Sequence, residues 1–267
     1  MSDKRSFRQF IETPLEIEEH LLKLFSPEES LVFFEAGACE GEHTLRYAKV
    51  FPNAKIYAFE PLPANILRLK SHLADFDVQN VEIIENAVSN QEGVQTFYVS
   101  TEKEGHFPES EDWNYGNKSS SLLPPDKHLE VFDGIQFKEQ IEVTSTTLDA
   151  FFKAKEIPVV DFFHLDVQGA ELMVLNGGEE HLGWFKAIWL EVADVEYYQD
   201  QAVSAEIDQY LSDRGFVKVV ESIEQSLGLG DCLYLNQAAF SDFAKVQRKF
   251  LEPKSKKNSW FQKLFGR

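Results

Sequence analysis

LVFFEAGACEGEHTLRYA, Leu31 to Ala48, is the stretch on which the fold turns. It opens as an apolar strand, passes through a tight glycine turn and continues as a helix, GEHTLRYAKVF, that ends near Pro52. The turn carries the pattern E-x-G-x-x-x-G, with Glu35, Gly37 and Gly41 at its fixed positions. A helix that starts there offers free backbone N–H groups to a polar ligand. Gly37 is expected to let the main chain approach that ligand with no Cβ in the way, and Gly41 to do the same where the helix begins.

Outward from this stretch, strand and helix signals alternate. AKIYAFEP is a second strand, with Glu60 at its carboxyl end and Pro61 stopping it. LPANILRLKSHLADF is an amphipathic helix with Ile66, Leu69 and Leu73 on one stripe. VEIIENAV and VQTFYVS read as strands, and TSTTLDAFFKAK as a short helix capped at Thr147 or a neighbour. VVDFFHLDV is apolar enough for a central strand, and QGAELMVLNGGEEHL is a helix broken at Gly177–Gly178. KAIWLEV is another strand, SAEIDQYLSDRG a helix stopped at Gly215, and FVKVVES with DCLYLN a closing hairpin. This order specifies an α/β, Rossmann-like three-layer sandwich: a mostly parallel seven-stranded sheet, helices on both faces and an antiparallel edge hairpin. Residues 1–30 form a helical lead-in, 31–240 the domain and 241–267 an appended tail. The insertion, about 101–140, is rich in Gly, Ser, Asn and Pro and reads as a loop. Phe107, Trp113 and Tyr115 within it argue for a functional segment, which we expect to be a substrate lid.

Bulk properties narrow the function. A net charge of −19 excludes nucleic acid as the default partner. Two cysteines, Cys39 and Cys232, provide neither a disulfide framework nor a zinc pattern, which fits a reduced, cytoplasmic setting. The N-terminus lacks the apolar core of a signal peptide, and no apolar run is long enough to span a membrane. The tail is the exception in charge, since Lys245–Arg267 holds eight Lys/Arg against the single acid Glu252. It reads as a solvated helix, as a packing element of a homodimer, or as a weak membrane-surface contact through Trp260, Phe261, Leu264 and Phe265.

The turn itself selects the ligand. Open α/β sheets bind ligands outside the carboxyl ends of their strands, and an acid ending the second strand can accept from both ribose hydroxyls of a nucleoside. Glu60 stands there, 19 residues after Gly41. Glu35, however, occupies the place where a dinucleotide fingerprint has its first glycine. An anion there repels a pyrophosphate and suits a cationic amino-acid ligand. S-adenosyl-L-methionine carries both an ammonium and a sulfonium, so it is the expected ligand in preference to NAD; no metal is expected.

The blocks FFEAGACEGEHTL, AFEPLPANILRLKSHL, NAVSN, TTLDAFF, HLDVQGAELMVLNGG and IWLEV occur in the order seen in the FkbM-like family of methyltransferases. The chain resembles that family, and with it the class I S-adenosylmethionine-dependent fold, from about Leu31 to Val192. The resemblance implies O-methylation of a hydroxyl on a glycan, sugar or secondary metabolite. It also implies a cofactor site built from Glu35, Gly37, Ala38, Gly41 and Glu60, with Asn86 and Ala87 near the adenine. Asp166 is placed at the methionine end, close to the substrate. His164 stands where the family commonly has Lys, and strand periodicity puts it on the same side as Asp166. It is either a general base or a structural histidine.

His128 and His106 in the insertion are further candidates for substrate contact, and His43 for contact with the cofactor. Glu191 and Asp194 either bind acceptor hydroxyls or are solvated edge acids. Glu171 reads as a helix-start charge. Ser119, Ser120 and Ser121 with Trp113 and Tyr115 suit a polyhydroxyl substrate or an ordinary turn. Two other functions remain open at this level: a nucleotide-dependent oxidoreductase or epimerase, and a silent cofactor-binding module that interacts through its tail.

Overall fold

The computed structural model describes residues 6–106 and 113–251. Phe107 and the aromatic end of the basic tail therefore lie outside the described residues. In chain order the elements are α1 (Phe7–Glu12), α2 (Glu16–Leu24), β1 (Val32–Ala36), α3 (Glu42–Val50), β2 (Lys55–Phe59), α4 (Pro63–Asp75) and β3 (Val81–Ile84). Then follow β4 (Ala87–Val88), β5 (Gly93–Glu102), α5 (His128–Val131), β6 (Ile135–Thr146), α6 (Leu148–Lys155) and β7 (Val160–Leu165). The chain continues through α7 (Glu171–Asn176), β8 (Phe185–Ala193), α8 (Ser204–Ser212), β9 (Phe216–Glu224), β10 (Leu229–Asn236) and α9 (Phe243–Leu251).

The main sheet has seven strands in the order β3-β2-β1-β7-β8-β10-β9. All neighbours are parallel except β10, which runs antiparallel between β8 and β9. This is the expected architecture, and the strand order reverses between β1 and β7. Strand periodicity divides the core. Phe34 and Phe163 face α6, α7 and α8 on one side, whereas Phe33 and Phe162 face α2, α3 and α9 on the other. All four are fully buried, each contributing about 1.5–3 kcal/mol relative to exposure. Glu35 and His164 are register partners on β1 and β7. They share the parity of Phe33 and Phe162, so both point toward α3.

The insertion differs from the loop expected. VQTFYVS does form a strand, β5, but outside the main sheet: β5 and β6 are antiparallel, and β4 joins β6 in a second sheet ordered β4-β6-β5. The sequence hides β6 because Lys138, Glu139 and Glu142 stand on its solvated side, while its buried positions are few: Ile135, Val143 and Ser145. A small core of Leu62, Phe97, Val99 and Val143 holds the second sheet. Thr147 caps α6 as expected, accepting from the Ala150 N–H at 3.1 Å. Among the described residues no helix is long and apolar enough to cross a membrane.

Candidate active site

The glycine turn sits at the carboxyl ends of β1, β2 and β7. The Gly37 and Ala38 N–H groups both donate to the Phe59 carbonyl, at 3.1 and 3.0 Å. Gly37 has φ +86°, and a Cβ there would lie 1.7 Å from the Asp166 carbonyl oxygen. At Gly41, φ +91°, a Cβ would meet Leu69 Cδ1 at 2.4 Å. Both glycines therefore serve the approach of neighbouring protein, β7 and α4, rather than only that of a ligand. Cys39, also at positive φ, donates its N–H to Glu60 Oε2 at 2.8 Å. Glu60 Oε1 accepts from Leu62 N–H at 2.9 Å and Asn65 Nδ2 at 3.2 Å. Of roughly four acceptor positions on a carboxylate, one thus stays open for a hydroxyl, fewer than the two expected. Burial pushes Glu60 up to about 7, against the pull of those hydrogen bonds.

Two cavities meet at the turn. The smaller is lined by Glu60, Asn86, Ala87, Val88, Phe97 and Ser120 among others. The larger, about 240 Å³, includes Phe10, Ala38, His43, Trp113, Trp189, Glu191 and Asp231 in its wall. Gly37, Cys39, Lys118 and Asp166 line both. The structure brings Glu35, Gly37, Ala38, Glu60, Asn86, Ala87, His164 and Asp166 to these two walls. Gly41 caps α3 and lines neither.

His128 is not brought to the site. Its ring packs among Phe132, Phe137 and Tyr198, it is buried, and it lines neither cavity. His106 and Asp194 are likewise absent from both walls. Of the serine run, only Ser120 reaches a cavity, while the Ser121 hydroxyl donates to the Gln168 carbonyl at 2.7 Å. Glu171 opens α7 as expected, and it is buried there, accepting from the N–H groups of Val167 and Gly169 at 3.0 and 3.3 Å.

Several functional positions escaped the sequence reading. Glu40 and Glu42, inside the opening stretch, fasten the insertion to the turn. Trp113 Nε1 donates to Glu42 Oε1 at 2.7 Å, Asn117 Nδ2 to Glu40 Oε1 at 2.9 Å, and Lys118 Nζ pairs with Glu42. Although burial pulls the Lys118 ammonium down, Cys39, Glu42 and Glu40 hold it above its ordinary range. Gln168, at φ +55°, spans two acids through Nε2: Asp166 Oδ1 at 2.7 Å and Glu191 Oε2 at 2.8 Å. Burial raises both carboxyls, Glu191 well above the usual range. Apart from the local bond between Gln168 and Asp166, these contacts join residues 23 to 77 positions apart, which no local pattern reveals.

On the α3 side, Glu35 is buried and one of its oxygens accepts from the Thr44 hydroxyl. Its other oxygen lies 3.8 Å from His164 Nδ1. The same nitrogen lies 3.1 Å from His43 Nδ1 and 3.0 Å from the Tyr47 hydroxyl. Burial lowers His164 well below its ordinary value and His43 to about 3, so both rings are neutral. Cys39 is raised by burial and is no nucleophile.

A sheet of this order, with a glycine turn at the strand reversal and paired cavities at the carboxyl edge, defines a class I, Rossmann-like methyltransferase. Residues 35–218 match the family model described as the Methyltransferase FkbM domain. The chain belongs to the FkbM methyltransferase family, and S-adenosyl-L-methionine is its methyl donor. It is similar to the 2-O-methyltransferase NoeI of Sinorhizobium fredii, 26% identical over 200 residues covering 74% of this chain and 78% of that one. It is also similar to Methyltransferase sdnD of Sordaria araneosa, 28% identical over 206 residues covering 68% and 72%. Among solved structures, a SAM dependent methyltransferase from Aquifex aeolicus matches at TM-score 0.42 and 14% identity, covering 87% of this chain and 100% of that one. Aeropyrum pernix fibrillarin matches at TM-score 0.44 and 13% identity, covering 82% and 74%.

The donor set of the smaller cavity fits this group. It offers one unclaimed Glu60 acceptor position, a slot beside Asn86 and Ala87, and at its junction with the larger cavity a cation, Lys118, beside an anion, Asp166.

Proposed function

We propose that the chain transfers a methyl group to a hydroxyl of a glycan or small polyhydroxyl metabolite. The observation that carries this reading is the junction where the two cavities share Gly37, Cys39, Lys118 and Asp166. Glu60 would hold a ribose hydroxyl, and Asn86 with Ala87 would flank the adenine. Lys118 and Asp166 have the charges to hold the carboxylate and ammonium of a methionine. Glu35 contributes to the larger cavity only, with one oxygen already occupied by Thr44, so we assign the ammonium to Asp166. S-adenosylmethionine supplies a methyl already activated on a sulfonium. The protein's share is then to orient the acceptor oxygen and remove one proton, and orientation carries much of the rate.

The larger cavity suits a polyhydroxyl acceptor because aromatic faces (Phe10, Trp113, Trp189) alternate with carboxylates (Glu191, Asp231). The name of the relative NoeI, a 2-O-methyltransferase, supports oxygen as the accepting atom. We assign the proton acceptor to Glu191, a carboxyl in the wall of the acceptor cavity that Gln168 holds in place and that burial raises above its ordinary range. His164, lowered by burial and surrounded by His43, Tyr47 and Glu35, is a poorer base. The insertion, fastened by Lys118 and Trp113, acts as the lid of the acceptor cavity.

The test is Glu191→Gln with a hydroxyl acceptor. Its kcat should fall by about a hundredfold or more, with affinity for S-adenosylhomocysteine unchanged. A kcat within a few fold of wild type removes Glu191 from proton transfer.

A further inference from the structure

We propose that Glu35, His43 and His164 form a binding site for a divalent transition-metal ion, zinc or a similar imidazole-preferring cation, in the wall of the larger cavity.

The donor atoms lie within 4.8 Å of one another. Nδ1 of His43 and Nδ1 of His164 are 3.1 Å apart, and Glu35 Oε1 is 3.8 Å from His164 Nδ1. A tetrahedral ion with bonds of about 2.0–2.1 Å needs its ligand atoms roughly 3.3 Å apart, so the observed separations bracket the required one. Three different elements supply the set. Glu35 and His164 are cross-strand partners on β1 and β7, and His43 stands in the first turn of α3 above them. Such rigid placement favours a metal site over a chance encounter of surface side chains.

The surroundings match a ligand set. The second oxygen of Glu35 accepts from the buried Thr44 hydroxyl, which fixes the carboxylate as an outer partner does around bound metals. His164 Nδ1 is approached by both His43 Nδ1 and the Tyr47 hydroxyl. One imidazole nitrogen offers either a lone pair or a proton and cannot serve two such neighbours well. A cation shared between the two ring nitrogens resolves that crowding and leaves Tyr47 to bond elsewhere. Two imidazoles with one carboxylate suit zinc, copper, nickel or iron rather than magnesium or calcium. Three protein ligands leave a fourth position, and all three residues line the larger cavity, so that position is open to a water or an acceptor hydroxyl. The ion's effect on an acceptor rests on the methyl-transfer reading above; its binding does not.

The full chain, freed of metal by chelation and dialysis, is titrated with zinc in the calorimeter and with cobalt(II) in the spectrophotometer. One equivalent of zinc should bind, and cobalt should give the intense visible absorption of a tetrahedral site. His43 is only half-buried, so His43→Ala should fold, as checked by circular dichroism. It should weaken zinc by more than about a hundredfold, exceeding the loss for an outer partner; His164→Gln should do the same. His181→Ala, which dismantles the separate cluster of Asp149, Glu180 and His181, should leave binding intact. No saturable zinc binding, an octahedral cobalt spectrum, or binding that survives His43→Ala or disappears in His181→Ala overturns the site. Zinc binding without any methyl transfer would leave the site standing and remove only the functional reading.

Discussion

At Glu60 one carboxylate braces the fold and, in the proposed cofactor site, keeps a position for a ribose hydroxyl. Three of its acceptor positions hold the Cys39 turn and the start of α4, one is unclaimed, and the residue lines the smaller cavity. Glu60→Ala should therefore weaken S-adenosylhomocysteine by about 10- to 100-fold, the worth of one hydrogen bond to a charged group, and should also lower the melting temperature. Calorimetry on the variant checks this, and unchanged affinity removes Glu60 from the cofactor site. Its position was legible in the sequence because it depends on local signals, an acid closing a strand before a proline. Glu40 and Glu42 were equally visible in the opening stretch and yet unread. Their partners, Asn117 and Lys118, lie more than seventy residues away in a segment without periodicity. Gly37 was legible as a turn residue but not for its reason, since the atom it avoids is the Asp166 carbonyl of another strand.

Among the elements, the insertion is where pattern reading failed and packing decided. A strand with one solvated face keeps its charges, so β6 alternates too weakly to be seen, and its ladders with β5 and β4 define it. The strands of the main sheet were legible for the opposite reason: β7 is buried along its whole length, and a continuous apolar run has few other readings. The link from this second sheet to the glycine turn runs through the short segment from Trp113 to Ser120. Lys118 supplies the pairing charge to Glu42 and stacks over Trp113 at 5.0 Å. Lys118→Met keeps the apolar stem and removes the charge, leaving Glu42 held by Trp113 alone among the described side chains of the insertion. The insertion should then be cut faster in limited proteolysis, and the KM for S-adenosylmethionine should rise about tenfold or more. Unchanged proteolysis would show that the apolar contacts suffice to hold the segment.

At the scale of the whole molecule, a crowd of buried acids sits at one edge of the sheet in a chain of net charge −19. Glu60, Glu171 and Asp231 are each pushed up to about 7 by burial. In the folded state they keep protons that the unfolded chain releases from about pH 4. Their contribution to stability is complete below that value and is lost as pH rises through 7. Burial lowers His20 and His128 to about 4, and their contribution is complete above about 6.5 and lost as pH falls toward 4. The two sets oppose each other between about pH 4.5 and 6.5, and above that only the carboxyls still change. Ligand-free protein should therefore lose roughly 1–2 kcal/mol between pH 6.5 and 8, read by denaturant unfolding at constant salt. A rise over that interval contradicts the assignment. On this acidic edge, set beside aromatic faces, rests the proposal of a polyhydroxyl acceptor, and its most direct test is the atom that receives the methyl group. The protein is incubated with S-adenosylmethionine isotopically labelled in the methyl group and with matched panels of sugars and amines, and the product is read by NMR. Label should appear in a methyl ether on a sugar hydroxyl; label found only on nitrogen, with every hydroxyl acceptor left unmodified, would contradict transfer to oxygen.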